Sequence, residues 1–233
     1  MKEGKPIQGA QGLRRGLKAL IFDVDGTLYE QGPVRRAMLY RLLRVYLADP
    51  AGGFFTLRAL RAYRNAQETL RTARSVGDIA NAQLMLASRR LGASAESITS
   101  CVARWMEDEP LPLLASSMRK GMAGLLQEAK RRGLGLAVCS DYPAHRKLAA
   151  MDLAGVFDVV VTAQDPEVQS FKPDPTSLEV TLRRLGVRND QAIYIGDRPD
   201  VDTVAASRAG IQHFILDRSH TLDELSQLLI LRS

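Results

Sequence analysis

Two aspartates one residue apart close an apolar run in "IFDVDGTLYE", residues 21–30, and Gly26 and Thr27 follow them at once. Three later stretches end in the same polar way. "GLGLAVCSD" (133–141) finishes at Ser140 and Asp141. "QAIYIGD" (191–197) finishes at Gly196 and Asp197, with Asp200 and Asp202 just beyond. Lys172 follows "FDVVVTAQD" (157–165), inside "SFKPDP". If these residues converge, their carboxylates repel one another unless a cation intervenes. Clustered carboxylate oxygens suit Mg²⁺, which takes octahedral oxygen ligands and keeps waters for a phosphorylated substrate. A lysine beside that ion favours an anion, and the Ser140 hydroxyl with backbone N–H groups near Gly26 could hold phosphoryl oxygens. The residue types therefore point to phosphate chemistry.

The elements that must position them are legible as short, continuous apolar runs, the mark of strands covered on both faces. Besides the three runs above, 18–23 and "QHFILD" (212–217) read as strands. Helical patterns at about 117–132, 143–153, 175–185 and 200–209 alternate with them, two being followed by Gly186 and Gly210 as helix stops. This βαβ rhythm predicts a Rossmann-like parallel sheet in a three-layer α/β/α domain, with ligands at the carboxyl ends of its strands. Residues 33–112 break the rhythm and read as an inserted all-helical domain. Pro33 opens the first helix, with Met38, Leu42, Val45 and Tyr46 at helical spacing. Three more helices follow, at 56–74, at 78–92 with Asp78 as N-cap and Gly92 as stop, and at 94–108. "EDEPLP" (107–112) reads as a hinge back to a core made of 17–32 and 113–233, and 1–16 as a flexible tail.

With the motifs in place, a resemblance becomes plain. "DVDGTLY" resembles the first motif of the haloacid dehalogenase-like hydrolase superfamily; Ser140 resembles the second, Lys172-Pro173 the third and "GDRPDVD" (196–202) the fourth. Order and spacing fit over roughly residues 18–218, and the insertion is similar to the helical type 1 cap of phosphoglycolate phosphatase-like members. The resemblance implies that Asp23 is a nucleophile forming an aspartyl-phosphate, and that Asp25 is the acid and then the base. It implies Mg²⁺ on Asp23, the Asp25 backbone carbonyl, Asp197 and Asp202, and phosphate held by Gly26, Thr27, Ser140, Asp141 and Lys172. An aspartate at position 25 separates the phosphate-ester enzymes of the superfamily from its dehalogenases and phosphonate-cleaving members.

The expected activity is Mg²⁺-dependent hydrolysis of a small phosphorylated metabolite. The alternative within the family is a sugar phosphomutase, which keeps the same four motifs. A remoter alternative is a basic nucleic-acid-binding protein, since the net charge is +6 and the insertion is rich in arginine. Intact motifs argue against a nucleic-acid partner. The 233 residues are 45% hydrophobic, enough for a sizeable core, and no stretch has the length and apolarity of a membrane span. The basic N-terminus lacks a secretory h-region, so a cytoplasmic location is expected. Cys101 and Cys139 are far apart and read as free thiols. Asp200 reads as a helix cap, His145 as a surface residue, Trp105 as core of the insertion, and one or two cap arginines as a grip on the far end of the substrate.

Overall fold

In a computed structural model, which describes residues 16–72, 77–217 and 220–230, five strands form one parallel sheet. They are β1 (Ala19–Phe22), β2 (Gly135–Ser140), β3 (Val159–Thr162), β4 (Ala192–Gly196) and β5 (Gln212–Ile215), in spatial order β3-β2-β1-β4-β5. β1 is central, and every one of its residues is fully buried. Leu20 and Phe22 pack into the core on one face, whereas Ala19 and Ile21 pack into the core on the other. A strand covered on both sides has no polar residue to spare within its length, so its polar groups collect at its end.

The register turns those ends into a site. Phe22 stands level with Val138 of β2 and Ile195 of β4. Asp23 therefore emerges at the top of the central strand, where its N–H donates to the Ile195 carbonyl at 2.8 Å. Ser140 and Asp197 flank it, each two residues beyond the partner of Phe22. The reversal of strand order between β1→β2 and β1→β4 is the switch point at which ligand crevices open in such sheets.

All regular structure between β1 and residue 117 is helical among the described residues: α1 (Gln31–Ala48), α2 (Pro50–Leu70), α3 (Ile79–Leu91), α4 (Ala95–Val102), a π-helical segment (Ala103–Asp108) and α5 (Leu111–Ser117). The second helix starts at Pro50, six residues earlier than its pattern suggests. Asp49 caps it by accepting from the Gly52 N–H, and Pro50 fills a first-turn position. Gly53 is required there, because a Cβ would lie 2.5 Å from the Tyr46 Cα. The stretch expected as a hinge, 107–112, holds the end of the π-helical segment and the start of α5, with Pro110 at the N-cap and Pro112 in the first turn, where proline costs no hydrogen bond. Asp78 and Gly92 cap α3 as expected, Gly92 at φ 68°. The insertion has its own core of Ala59, Ala66, Ala87, Ile98, Cys101, Val102 and Trp105. Leu70 and Ile79 pack on Ala163 and Phe171 of the sheet side, which ties insertion to sheet.

The remaining helices are α6 (Met122–Arg131), α7 (His145–Ala150), α8 (Thr176–Leu185), α9 (Val204–Arg208) and α10 (Leu222–Ile230). Both cysteines are free and buried. Among the described residues, no helix is long and apolar enough to cross a membrane. The segment expected to be a tail, 1–16, falls outside the described residues except for Gly16.

Candidate active site

Lys172 is the hub of the site. It is 3% exposed, and its Nζ lies 2.7 Å from Asp23 Oδ1, 2.8 Å from Asp202 Oδ1 and 2.7 Å from the Tyr194 hydroxyl. Tyr194 in turn donates to Asp202 Oδ1 at 2.7 Å. Burial alone favours a neutral lysine, but the Asp202 and Asp23 charges hold Lys172 protonated well above its usual range. Asp23 is pushed upward, by burial first; Lys172 opposes this, and the charges of Asp202 and Asp25 add to it. Among the described residues only Asp23 Oδ1 accepts a hydrogen bond, so Oδ2 is free to meet a ligand.

Asp202, expected as a metal ligand, has both oxygens engaged. Oδ1 takes Lys172 and Tyr194; Oδ2 takes the N–H groups of Asp197 (3.1 Å) and Arg198 (2.9 Å). Gly196 admits this buried carboxylate, since a Cβ there would lie 2.5 Å from Asp202 Cγ. A carboxylate with four donors is an anchor for the lysine and the β4 loop, and has little left for a cation.

Asp197 differs. It makes no ion pair among the described residues, and it is pushed up to about 6 by burial and by the neighbouring charge of Asp202. Its carboxylate lies over Gly26, where a Cβ would come within 2.1 Å of Oδ2, so only glycine, here at φ 98°, lets strand turn and carboxylate meet. Arg119 also reaches this turn, donating from Nη2 to the Gly26 carbonyl at 2.6 Å. The donor set of Asp23, Asp197 and the Asp25 carbonyl is all oxygen, the chemistry of a hard divalent cation. Asp197, half-buried and without an ion pair among the described residues, is the carboxylate that such a cation would relieve. Among the described residues no three acidic, histidine or cysteine side chains make a ready-formed metal cluster.

Asp25 has a partner that its motif does not announce. Lys147 of α7 places Nζ 2.6 and 2.5 Å from its two carboxylate oxygens, and the Tyr29 hydroxyl donates to Oδ1. Burial raises the Asp25 carboxyl, and Lys147 outweighs it, leaving Asp25 below the usual carboxylate range. His145, expected on the surface, is exposed. Ser140 is buried at the end of β2, and its Oγ accepts from the Tyr142 N–H at 3.2 Å. Thr27 is fully buried, its hydroxyl has no partner and its N–H goes to the Val24 carbonyl, so neither group is presented to a phosphate.

Asp141 organises the loop. Oδ1 accepts from the Lys172 N–H (3.1 Å), and Oδ2 takes Arg71 Nη1 (2.6 Å) and Gln67 Nε2 (3.4 Å) from α2. Arg71 also donates to the Lys172 carbonyl. The cap arginine that reaches the sheet side is thus held by protein groups. Beside it, the Tyr142 hydroxyl donates to Gln67 Oε1 at 2.7 Å, and Tyr142 stacks on Tyr63. Arg58, Arg61 and Arg64 are exposed on one face of α2.

Comparison with known proteins places the chain in a family. The profile of the haloacid dehalogenase-like hydrolases matches residues 17–210, and the chain belongs to that family. It is 28% identical over 226 residues to a phosphoglycolate phosphatase of Rhodospirillum rubrum, covering 91% of this chain and 84% of that protein. It is 30% identical over 194 residues to a fructose-1-phosphate phosphatase of Escherichia coli, covering 82% and 92%. The fold is shared with a 2-haloacid dehalogenase of Pseudomonas syringae at a TM-score of 0.61 and 21% identity, covering 93% and 100%. Family and relatives together make the chain a hydrolase of the phosphoric monoester type.

Proposed function

We propose that this hydrolase removes phosphate from a small phosphorylated metabolite through an aspartyl-phosphate on Asp23, with Mg²⁺ bound by Asp23, Asp197 and the Asp25 carbonyl. The observation that carries the reading is the fixing of Asp23 by Lys172 through one oxygen only. Oδ2 attacks phosphorus in line, the Oδ2–P bond forms, and the bond to the leaving alkoxide breaks. Lys172 and Ser140 hold the phosphoryl oxygens, and Mg²⁺ supplies charge neutralisation when bound. At rest Asp25 is ionised by Lys147. An arriving phosphate dianion raises a neighbouring carboxylate, so Asp25 takes a proton from solvent and gives it to the alkoxide. Asp25 then takes a proton from the water that attacks phosphorus; the Asp23 carboxylate is regenerated and inorganic phosphate leaves.

Phosphatase names among the relatives favour hydrolysis over phosphomutase chemistry. They also name different metabolites, so the substrate is best approached with a panel: phosphoglycolate, glyceraldehyde 3-phosphate, phosphoserine, fructose 1-phosphate and an aryl phosphate. Inorganic phosphate should be released with Mg²⁺ and no phosphorylated activator, stop on chelation, and vanish in Asp23→Asn. Near-native turnover in Asp23→Asn removes the nucleophile assignment.

A further inference from the structure

α1 is apolar on two opposite faces. Val34, Met38, Leu42 and Val45 point inward to the cores. Leu39, Tyr40, Leu43, Tyr46 and Leu47 point outward and are 39% to 72% exposed. Tyr46, expected with the buried stripe, belongs to this outer set. A helix apolar on both sides is ordinarily covered on both, and exposed patches of this kind mark interaction sites.

The outer set is a palindrome. Counted from Leu43, leucine stands at −4 and +4 and tyrosine at −3 and +3. A two-fold interface requires that if one residue meets a second, the second meets the first. Two copies of α1 crossing antiparallel at Leu43 satisfy this at every step. Leu43 meets its own counterpart, Leu39 comes level with Leu47, and Tyr40 comes level with Tyr46. Leu39, Leu43 and Tyr46 follow the four-three spacing of knobs between paired helices. Beyond the apolar steps, Arg36 at −7 comes level with Pro50 beside Asp49 at +6, opposite charges at the two mirrored ends. Arg36 has no ion pair among the described residues, and both residues are exposed. Phe54 and Leu57, exposed on α2, widen the strip to about 21 Å by about 20 Å. That is roughly 420 Å² on each copy, about half of the ~800 Å² per partner of a standard interface.

We infer that the occupant of this strip is a second copy of the chain, in a two-fold dimer whose axis passes by Leu43. A lipid surface or an unrelated protein would have no use for the mirror order. None of the five outer residues touches the groups around Asp23, so the dimer and the phosphatase chemistry can fail separately.

The full chain should sediment at twice its 25.6 kDa. Leu43→Arg, at a half-exposed position where each copy meets itself, should give a folded monomer with unchanged aryl-phosphate turnover. Under mild oxidation Leu43→Cys should crosslink to itself. Leu39→Cys and Leu47→Cys should crosslink when mixed and much less when alone. A monomeric wild type, or a dimer indifferent to Leu43→Arg, overturns the proposal. A dimer without the Leu43→Cys crosslink overturns the axis, and a monomer that co-sediments with phosphatidylglycerol vesicles reassigns the strip to a lipid surface.

Discussion

Replacing Asp202 by asparagine separates an anchor from a metal ligand. The residue is 1% exposed and its carboxylate meets donors on both sides: Lys172 and Tyr194 at Oδ1, and the N–H groups of Asp197 and Arg198 at Oδ2. Asparagine can keep one carbonyl oxygen toward the two N–H groups, but its NH₂ then faces an ammonium and a phenol, donor against donor. Removing one partner from a buried ion pair costs roughly 3–5 kcal/mol, because the remaining charge stays buried. For a chain of this length each kcal/mol lowers Tm by about 2–4 °C, so the metal-free variant should melt roughly 6–20 °C lower. The assay is thermal unfolding in chelator and again in Mg²⁺. The metal-free Tm should fall while the further rise on adding Mg²⁺ persists. A metal-free Tm within about 2 °C of the wild type, with the Mg²⁺ increment abolished, would make Asp202 a ligand and refute the anchor argument.

Asp197→Asn should do the reverse. A carboxyl raised from 3.8 to about 6 in the folded state holds its proton more tightly there; its charge leaves the fold untouched below 3.8 and destabilises it progressively up to pH 6, by at most about 3 kcal/mol. Metal-free Asp197→Asn should therefore be more stable than the wild type at pH 7, equal to it near pH 3.5, and lose its Mg²⁺ increment; pH-dependent urea unfolding checks all three. Lys147→Met removes the cation that keeps Asp25 low, so the acid limb of the pH–rate profile should move to higher pH; an unmoved limb shows that Lys147 does not set the state of Asp25. Arg71→Ala leaves the Asp141 carboxylate without its close charge and should cost about 1–3 kcal/mol, with KM rising more than kcat falls as the Lys172 loop loosens, measured by urea unfolding and steady-state kinetics.

What the sequence determined by itself was everything set by local pattern. Continuous apolar runs bounded by polar ends identify strands buried on both faces, and strand direction then places Asp23, Ser140 and Asp197 at one edge without any knowledge of distance. Asp78, Gly92 and Gly186 stop or start helices through their own backbone and side-chain chemistry, which involves neighbours a few residues away. Tertiary structure alone decided the partners. Lys172 meets Asp23 across 149 residues, and Lys147 meets Asp25 across 122. No periodicity tells which lysine arrives, or that His145, two residues from Lys147, does not. Tyr194 reads as one more apolar residue of β4 until its hydroxyl is found against Lys172. Asp202 looks like a metal ligand because its motif is acidic, yet four donors converge on it from two loops and a strand. A hydrogen bond depends on position to within about half an ångström, and that precision comes only when helices, sheet and insertion have packed against one another.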